Sequence, residues 1–350
     1  MPSDELSGSE RRRASHPVRS EVPMPMKLIR RLAVSIVMIF VVASLTFFLV
    51  RMMPGNPYSV LYHKLVMQGL PPLQAMDQVR GIMNAMPNQP AYIQYFEWLR
   101  QLIHGNLGTS IAETGVPVTQ LIFDALPWTL VTVSLGLFIS FVIGIVLGVI
   151  SASYRGTWLS NLIDNVGSVA HAIPVFVTAV ALLYLFNVIW HIFPSSGAYG
   201  IMETPGFNWP FITSFLYHIA LPIGTYVLAG FGSWELAMKS TTVMVMNDDF
   251  MMAARIHGLP RDRQMNYLGW NSILPLFTLF MLSLGVMFGG SVFIESTYAF
   301  PGIGNLLATA VTSRDYPVMQ GCFMLTTATI IMANVLADFL YASLDPRISN

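Results

Sequence analysis

Leu32–Val50 reads LAVSIVMIFVVASLTFFLV, a run with no charge, no proline and no glycine. A helix crossing the hydrocarbon core of a bilayer needs about 20 apolar residues. Arg30 and Arg31 stand directly before this run, where they resist translocation. The rest of the chain has the same character. Of its 350 residues 54% are hydrophobic and 10% are charged, against roughly 25% charged in soluble proteins. So few charges do not cover the surface of a soluble protein of this size. The formal net charge is zero, which leaves nucleic-acid binding without electrostatic support. The single cysteine, Cys322, excludes an intramolecular disulfide framework and a Cys-cluster metal site.

Five further apolar runs follow, at about Leu126–Ala152, Val166–Ile189, Ser214–Leu236, Ile273–Phe293 and Val318–Tyr341. The prediction is an all-α, polytopic membrane protein with six transmembrane helices. Gly144 and Gly148 have the small-xxx-small spacing that lets helix backbones approach closely. Pro174, near His171, predicts a local kink in the third span. With the N-terminus inside, 13 of the 18 Lys and Arg residues fall on the inner side, so both termini are expected in the cytoplasm.

The organisation expected from this pattern has four parts. Residues 1–26, with Arg11–Arg13 and three prolines, read as a disordered cytoplasmic leader. They do not read as a cleavable signal peptide, because the apolar run is too long and no small-residue cleavage pattern follows. Residues 27–52 carry the first span. Residues 53–124 form an external loop subdomain resting on the membrane face, with amphipathic helices expected at Leu73–Ala85 and Tyr92–Ile103. Residues 125–348 form a five-helix core with a cytoplasmic loop at 237–272. Residues 188–213 read as a turn-rich external loop whose Trp190 and Trp209 suit the membrane interface.

The cytoplasmic loop holds the stretch DDFMMAARIHGLPRDRQMNYLGWNSILP, residues 248–275. Asp248 and Asp249 favour a helix start. Gly258 suits the C′ position that ends a helix, and Pro260 prevents simple continuation. The pattern predicts a short helix, a sharp turn and a second helix returning to the membrane at Ile273. Such a unit is either a rigid knob for a soluble partner or an ordinary amphipathic connector. Elsewhere, Pro301, Gly302 and Gly304 form a tight turn after the fifth span, and Arg314, Asp315, Tyr316 and Pro317 lead into the sixth. This segment reads as a surface or re-entrant hairpin at the outer end of the last two spans. Glu295 is expected to pair with Arg314 or to meet an amine from outside the chain, because an unpaired charge at membrane depth is costly. Asn334 and Asp338 share one face of the sixth span, a face that should point to protein or cavity. His171 and His218 have no neighbouring ligand at metal spacing.

AARIHGL followed by NSILP resembles the coupling loop of ABC-importer permeases. Residues 289–321, GGSVFIESTYAFPGIGNLLATAVTSRDYPVMQG, and 334–348, NVLADFLYASLDPRI, are similar to the dipeptide and oligopeptide branch of that family, which also includes nickel permeases. So are the entry at 27–57 and HGNLGTS at 104–110. The likeness spans about 27–348. Met252 stands where the family motif has Glu, and Gly269 and Trp270 replace its basic residues.

The resemblance implies the type I importer permease fold and a subunit that performs no chemistry and binds no cofactor. Its implied partners are a second homologous permease in a heterodimer, one or two cytoplasmic ATPase subunits that handle ATP and Mg²⁺, an extracytoplasmic substrate-binding protein, and a di- or oligopeptide substrate. It implies a bacterial or archaeal plasma membrane. On this resemblance Ala253, Ala254, Arg255, Gly258, Leu259, Arg261 and Arg263 couple to the ATPase, with the arginines making rim ion pairs. Glu295, Pro301, Gly302, Gly304, Arg314 and Asp315 fall at the outer gate or binding-protein contact. Oligosaccharides and nickel chelates are the alternative substrates. The chain has no GxxxxGK[ST] phosphate loop. A secondary transporter would carry midplane charges and inverted repeats, a channel a filter or charged ring, and neither is legible here.

Overall fold

The computed structural model describes residues 24–52, 57–82, 90–113 and 115–344. Residues 1–23 of the expected leader and residues 345–350 lie outside them. The chain divides into two compact units, 1–38 and 39–350. Of the first, residues 24–38 form the opening half of helix α1 (Met24–Met52).

In the second unit α1 is followed by three short helices: α2 (Pro57–Met67), α3 (Pro72–Ile82) and α4 (Ala91–Ile103). The predicted amphipathic helices correspond to α3, with residues 83–85 of the expected helix outside the described residues, and to α4, while α2 has no counterpart in the sequence pattern. Leu61 and Leu65 of α2 bury against Ala75 and Val79 of α3, and Ile111 from the following loop closes this small core. Phe47 of α1 is fully buried against Tyr95 and Trp98 of α4.

The membrane core is built on α5 (Val118–Ser153), α8 (Trp209–Val245), α10 (Arg261–Thr297) and α12 (Tyr316–Leu344). Among the described residues five helices are long and apolar enough to cross a membrane, α1 among them. A sixth span is counted if α6 (Trp158–Ala172) and α7 (Val175–Leu183), which continues as a π-turn over Tyr184–Ile189, are one crossing. That pair is bent by 97°. The predicted local kink is therefore a full elbow. Pro174 removes a backbone donor and disfavours the helical conformation of Ile173 before it, which turns extended at φ −77°, ψ 124°.

Close approach of α5 and α8 rests on absent side chains. A Cβ on Gly148 would lie 2.6 Å from the Met238 Cβ and 2.7 Å from the Glu235 carbonyl oxygen. One on Gly136 would lie 2.8 Å from the Tyr226 Cγ. Gly144, the other half of the predicted small-residue pair, faces Trp234 in the same way. Leu137, Phe141, Trp234, Met238 and Leu276 then interlock α5, α8 and α10. At the other end of the core, the buried Tyr298 hydroxyl bonds Thr225 Oγ1 at 2.9 Å and donates to the Ala179 carbonyl at 3.0 Å, tying α10 to α8 and α7. A last short helix, α11 (Ile303–Ser313), packs Ile303, Leu307 and Ala310 among α5 and α12.

Candidate functional site

The loop between α8 and α10 folds as a helix, a turn and a helix. Helix α9 spans Asp249–Ile256. Asp248 occupies its N-cap position without a side-chain cap bond, and Asp249 lies in the first turn, where a negative charge suits the helix dipole. At the other end the Leu259 N–H donates to Ala254 O at 3.1 Å and the Gly258 N–H to Arg255 O at 3.0 Å. This is the Schellman pattern, which needs a left-handed residue at C′, and Gly258 supplies it with φ +67°. Gln264 donates to the Leu259 carbonyl at 2.8 Å and locks the turn. Pro260 then starts α10, a single helix from Arg261 through the fifth apolar run to Thr297 with Pro275 inside it. At 1.5 Å per residue this is about 55 Å of continuous helix.

The turn therefore joins two long helices through a unit with few internal freedoms. Met251 is buried and anchors α9. Met252 and Ile256 are 63% and 78% exposed, and Ala253, Arg255, His257 and Gly258 are exposed beside them. Ala254 and Leu259 are half-buried. Arg263 is exposed, whereas the Arg261 guanidinium sits 5.1 Å from the centre of the Tyr154 ring at the end of α5. Arg261 thus has a cation–π contact within the chain as well as an open face.

Below this platform lies a polar cluster between α5, α6 and α8. Lys239 and Asp164 form an ion pair. Ser151 donates to Asp164 Oδ1 at 2.6 Å and bonds Ser160 Oγ at 2.9 Å, and Lys239 reaches Ser160 at 3.2 Å. The Glu235 carboxyl, one turn before Lys239, is fully buried beside Gly167.

At the opposite end of the core, Asp315 is buried and gathers donors from a distant segment. Its Oδ2 accepts from Ser110 Oγ at 2.5 Å and from the Ile111 and Ala112 N–H groups at 2.9 Å each. Its Oδ1 accepts from the Val318 N–H at 3.3 Å, capping α12. The HGNLGTS segment is therefore clasped onto the start of the last span. Glu295 is also fully buried. Its Oε2 accepts from the Gly304 N–H at 2.7 Å and the Asn305 N–H at 3.4 Å, at the positive end of α11. The expected Glu295–Arg314 pair does not form, because Arg314 is exposed at the far end of α11, left-handed at φ +56°. Gly302 and Gly304 are buried where α11 meets Glu295 and Val292, and Pro301 is exposed. Asn334 is exposed along α12, and the Asp338 side chain lies outside the described residues.

Residues 144–350 match the family described as binding-protein-dependent transport system inner membrane component. Residues 24–135 match the N-terminal membrane component of the same systems. The chain belongs to this family. Among its relatives is the oligopeptide transport system permease protein AppB of Bacillus subtilis, 30% identical over 326 residues, covering 93% of this chain and 99% of that protein. Another is the nickel import system permease protein NikB of Staphylococcus aureus, 30% identical over 322 residues, covering 91% of this chain and 90% of that protein. As a binding-protein-dependent permease it is a multi-pass inner-membrane protein of a transport system, and its family works with an ATPase and a substrate-binding protein.

One constellation in this permease has no counterpart among the sequence expectations, the cluster of Asp164, Lys239, Ser151, Ser160 and Glu235. Glu235 and Lys239 are four residues apart and share one helix face. That spacing is the available signal, but the boundary expected between the fourth apolar run and the loop at 237 separates the two residues, whereas α8 runs on to Val245 and holds both.

Proposed function

We propose that this chain is the transmembrane subunit of an ATP-driven, binding-protein-dependent importer of di- or oligopeptides, forming half of the translocation pathway. The observation that carries the coupling role is the α9 turn. Its exposed Met252, Ala253, Ile256 and Gly258 offer a small apolar platform, rimmed by Arg255 and Arg263. Its Schellman lock and the continuous α10 transmit displacement to a span instead of absorbing it. An ATPase cleft is the fitting partner. The chain itself performs no reaction, and ATP and Mg²⁺ belong to the ATPase subunits. A second homologous permease completes the pathway. Both termini lie in the cytoplasm of a bacterial or archaeal cell by the Lys and Arg asymmetry.

The peptide substrate rests on the likeness to AppB. Equal identity to NikB supports a second reading, nickel chelates. Uptake by proteoliposomes holding the whole complex separates the two. Labelled di- and tripeptides should accumulate only with ATP and binding protein, and accumulation of nickel chelate alone would replace the substrate reading. Gly258→Arg should abolish uptake while the complex still assembles, since nothing lies within 4 Å of a Cβ there. Unimpaired uptake by that variant would remove the coupling role.

A further inference from the structure

Helix α4 divides into three sectors that match three surroundings. Tyr95 and Trp98 face α1, with ring centres 5.3 Å and 5.2 Å from Phe47. Glu97 and Arg100 are exposed on another side. Between them Tyr92, Phe96, Leu99 and Ile103, spaced four, three and four residues apart, form one stripe. Tyr92, Phe96 and Ile103 are 63%, 65% and 77% exposed. An apolar stripe this open on a helix outside the spans calls for an occupant.

The position of α4 along α1 identifies it. The Tyr95 hydroxyl bonds Ser44 Oγ at 2.7 Å, and its ring stacks on Phe48 at 5.4 Å. Ser44 lies six residues inside the end of the apolar window Ala33–Val50, which at 1.5 Å per residue is about 9 Å into the span. A Tyr side chain does not reach that depth from a helix standing in water. The exposed face of Phe48 on α1 continues through Tyr95 to Phe96, whose rings are 5.5 Å apart. The stripe is thus an extension of the surface that α1 presents to acyl chains.

We propose that α4 lies in the membrane interface, with Tyr92, Phe96, Leu99 and Ile103 immersed in the leaflet on the side of the α2–α4 segment. An amphipathic interfacial helix buries its apolar face about 5–10 Å into the headgroup and acyl boundary, which agrees with the depth of Ser44. Arg100 borders the stripe and can extend its head to the phosphate layer while its stem stays apolar. The occupant is bilayer lipid. A binding protein or the second permease would have to compete with acyl chains for a surface already at membrane depth.

The test uses the whole complex in proteoliposomes, with nitroxide labels at Phe96→Cys, Ile103→Cys and Glu97→Cys. Native Cys322 is buried and serves as the unlabelled background. Labels at 96 and 103 should collide severalfold more with oxygen than with a water-soluble nickel chelate, and the label at 97 should show the reverse. Equal chelate access at all three positions overturns the proposal. So does shielding of 96 and 103 from both reagents in the complex but not in the lone chain, which would assign the stripe to a protein partner. If labelled variants do not assemble, a photoactivatable phospholipid in the native complex reads the same surface. Adducts are expected on 91–103, and adducts on α1 with none on α4 overturn the proposal.

Discussion

Asp315 shows how a single carboxylate joins parts of the chain that the sequence keeps far apart. It binds a hydroxyl and two backbone N–H groups from 110–112 while capping α12. Hydrogen bonds to charged groups contribute about 1.5–3 kcal/mol each, and losing one shared acceptor strands several donors at once. Asp315→Ala is therefore expected to lower stability by about 3 kcal/mol, within the range for breaking a buried polar network. The expected readout is earlier thermal unfolding of the detergent-solubilised complex and faster proteolysis within 104–117. Asp315→Asn, which keeps one oxygen acceptor, should lie between the two. Gly258 works at the same scale by a different cause. Apart from Asn and Asp, side chains take φ +67° only with strain, at a cost of about 1–2 kcal/mol.

At the scale of elements, the α5–α8 pair is held by what its glycines omit. A Cβ at Gly148 meets the Glu235 backbone as well as Met238, so no side-chain rotation relieves it. Overpacking of this kind costs about 1–3 kcal/mol. Gly148→Leu should separate the helices, strain the Lys239–Asp164 pair beside them and lower thermal stability by that order. Gly269→Leu, whose Cβ has only one neighbour at 4.0 Å, is the control that should unfold near the parent temperature in the same melt. An equal loss in both variants would mean that size on its own, not the helix contact, is responsible. The elbow between α6 and α7 is the other element-level feature. Two halves of 15 and 9 residues before the π-turn are each too short to cross a bilayer as straight helices.

At the scale of the molecule, many large side chains remain open, among them Phe138, Val146, Val180 and Leu228 on the core helices. In a membrane subunit this surface is covered by lipid and by partner chains. The family relationship adds an ATPase and a binding protein to the system. Purification of the tagged chain in mild detergent should bring ATPase subunits and a second permease with it. A lone chain that moved solute in liposomes without ATP would end the importer reading.

Much was legible in the sequence because it depends on near neighbours or on solvent. The apolar runs report the bilayer, since a backbone in hydrocarbon must satisfy its own hydrogen bonds and does so as helix. The Gly258 turn is encoded within a dozen residues, because a Schellman motif closes over six. The Gly144 and Gly148 spacing announced a close contact, but not that α8 would be the helix received. What only the tertiary structure decided was pairing at long range: Asp315 with residues 110–112, Glu295 with the end of α11 in place of Arg314, and Asp164 with Lys239. A carboxylate's need for donors is local, but which donors arrive is set by how the helices pack, and no spacing in the chain records that.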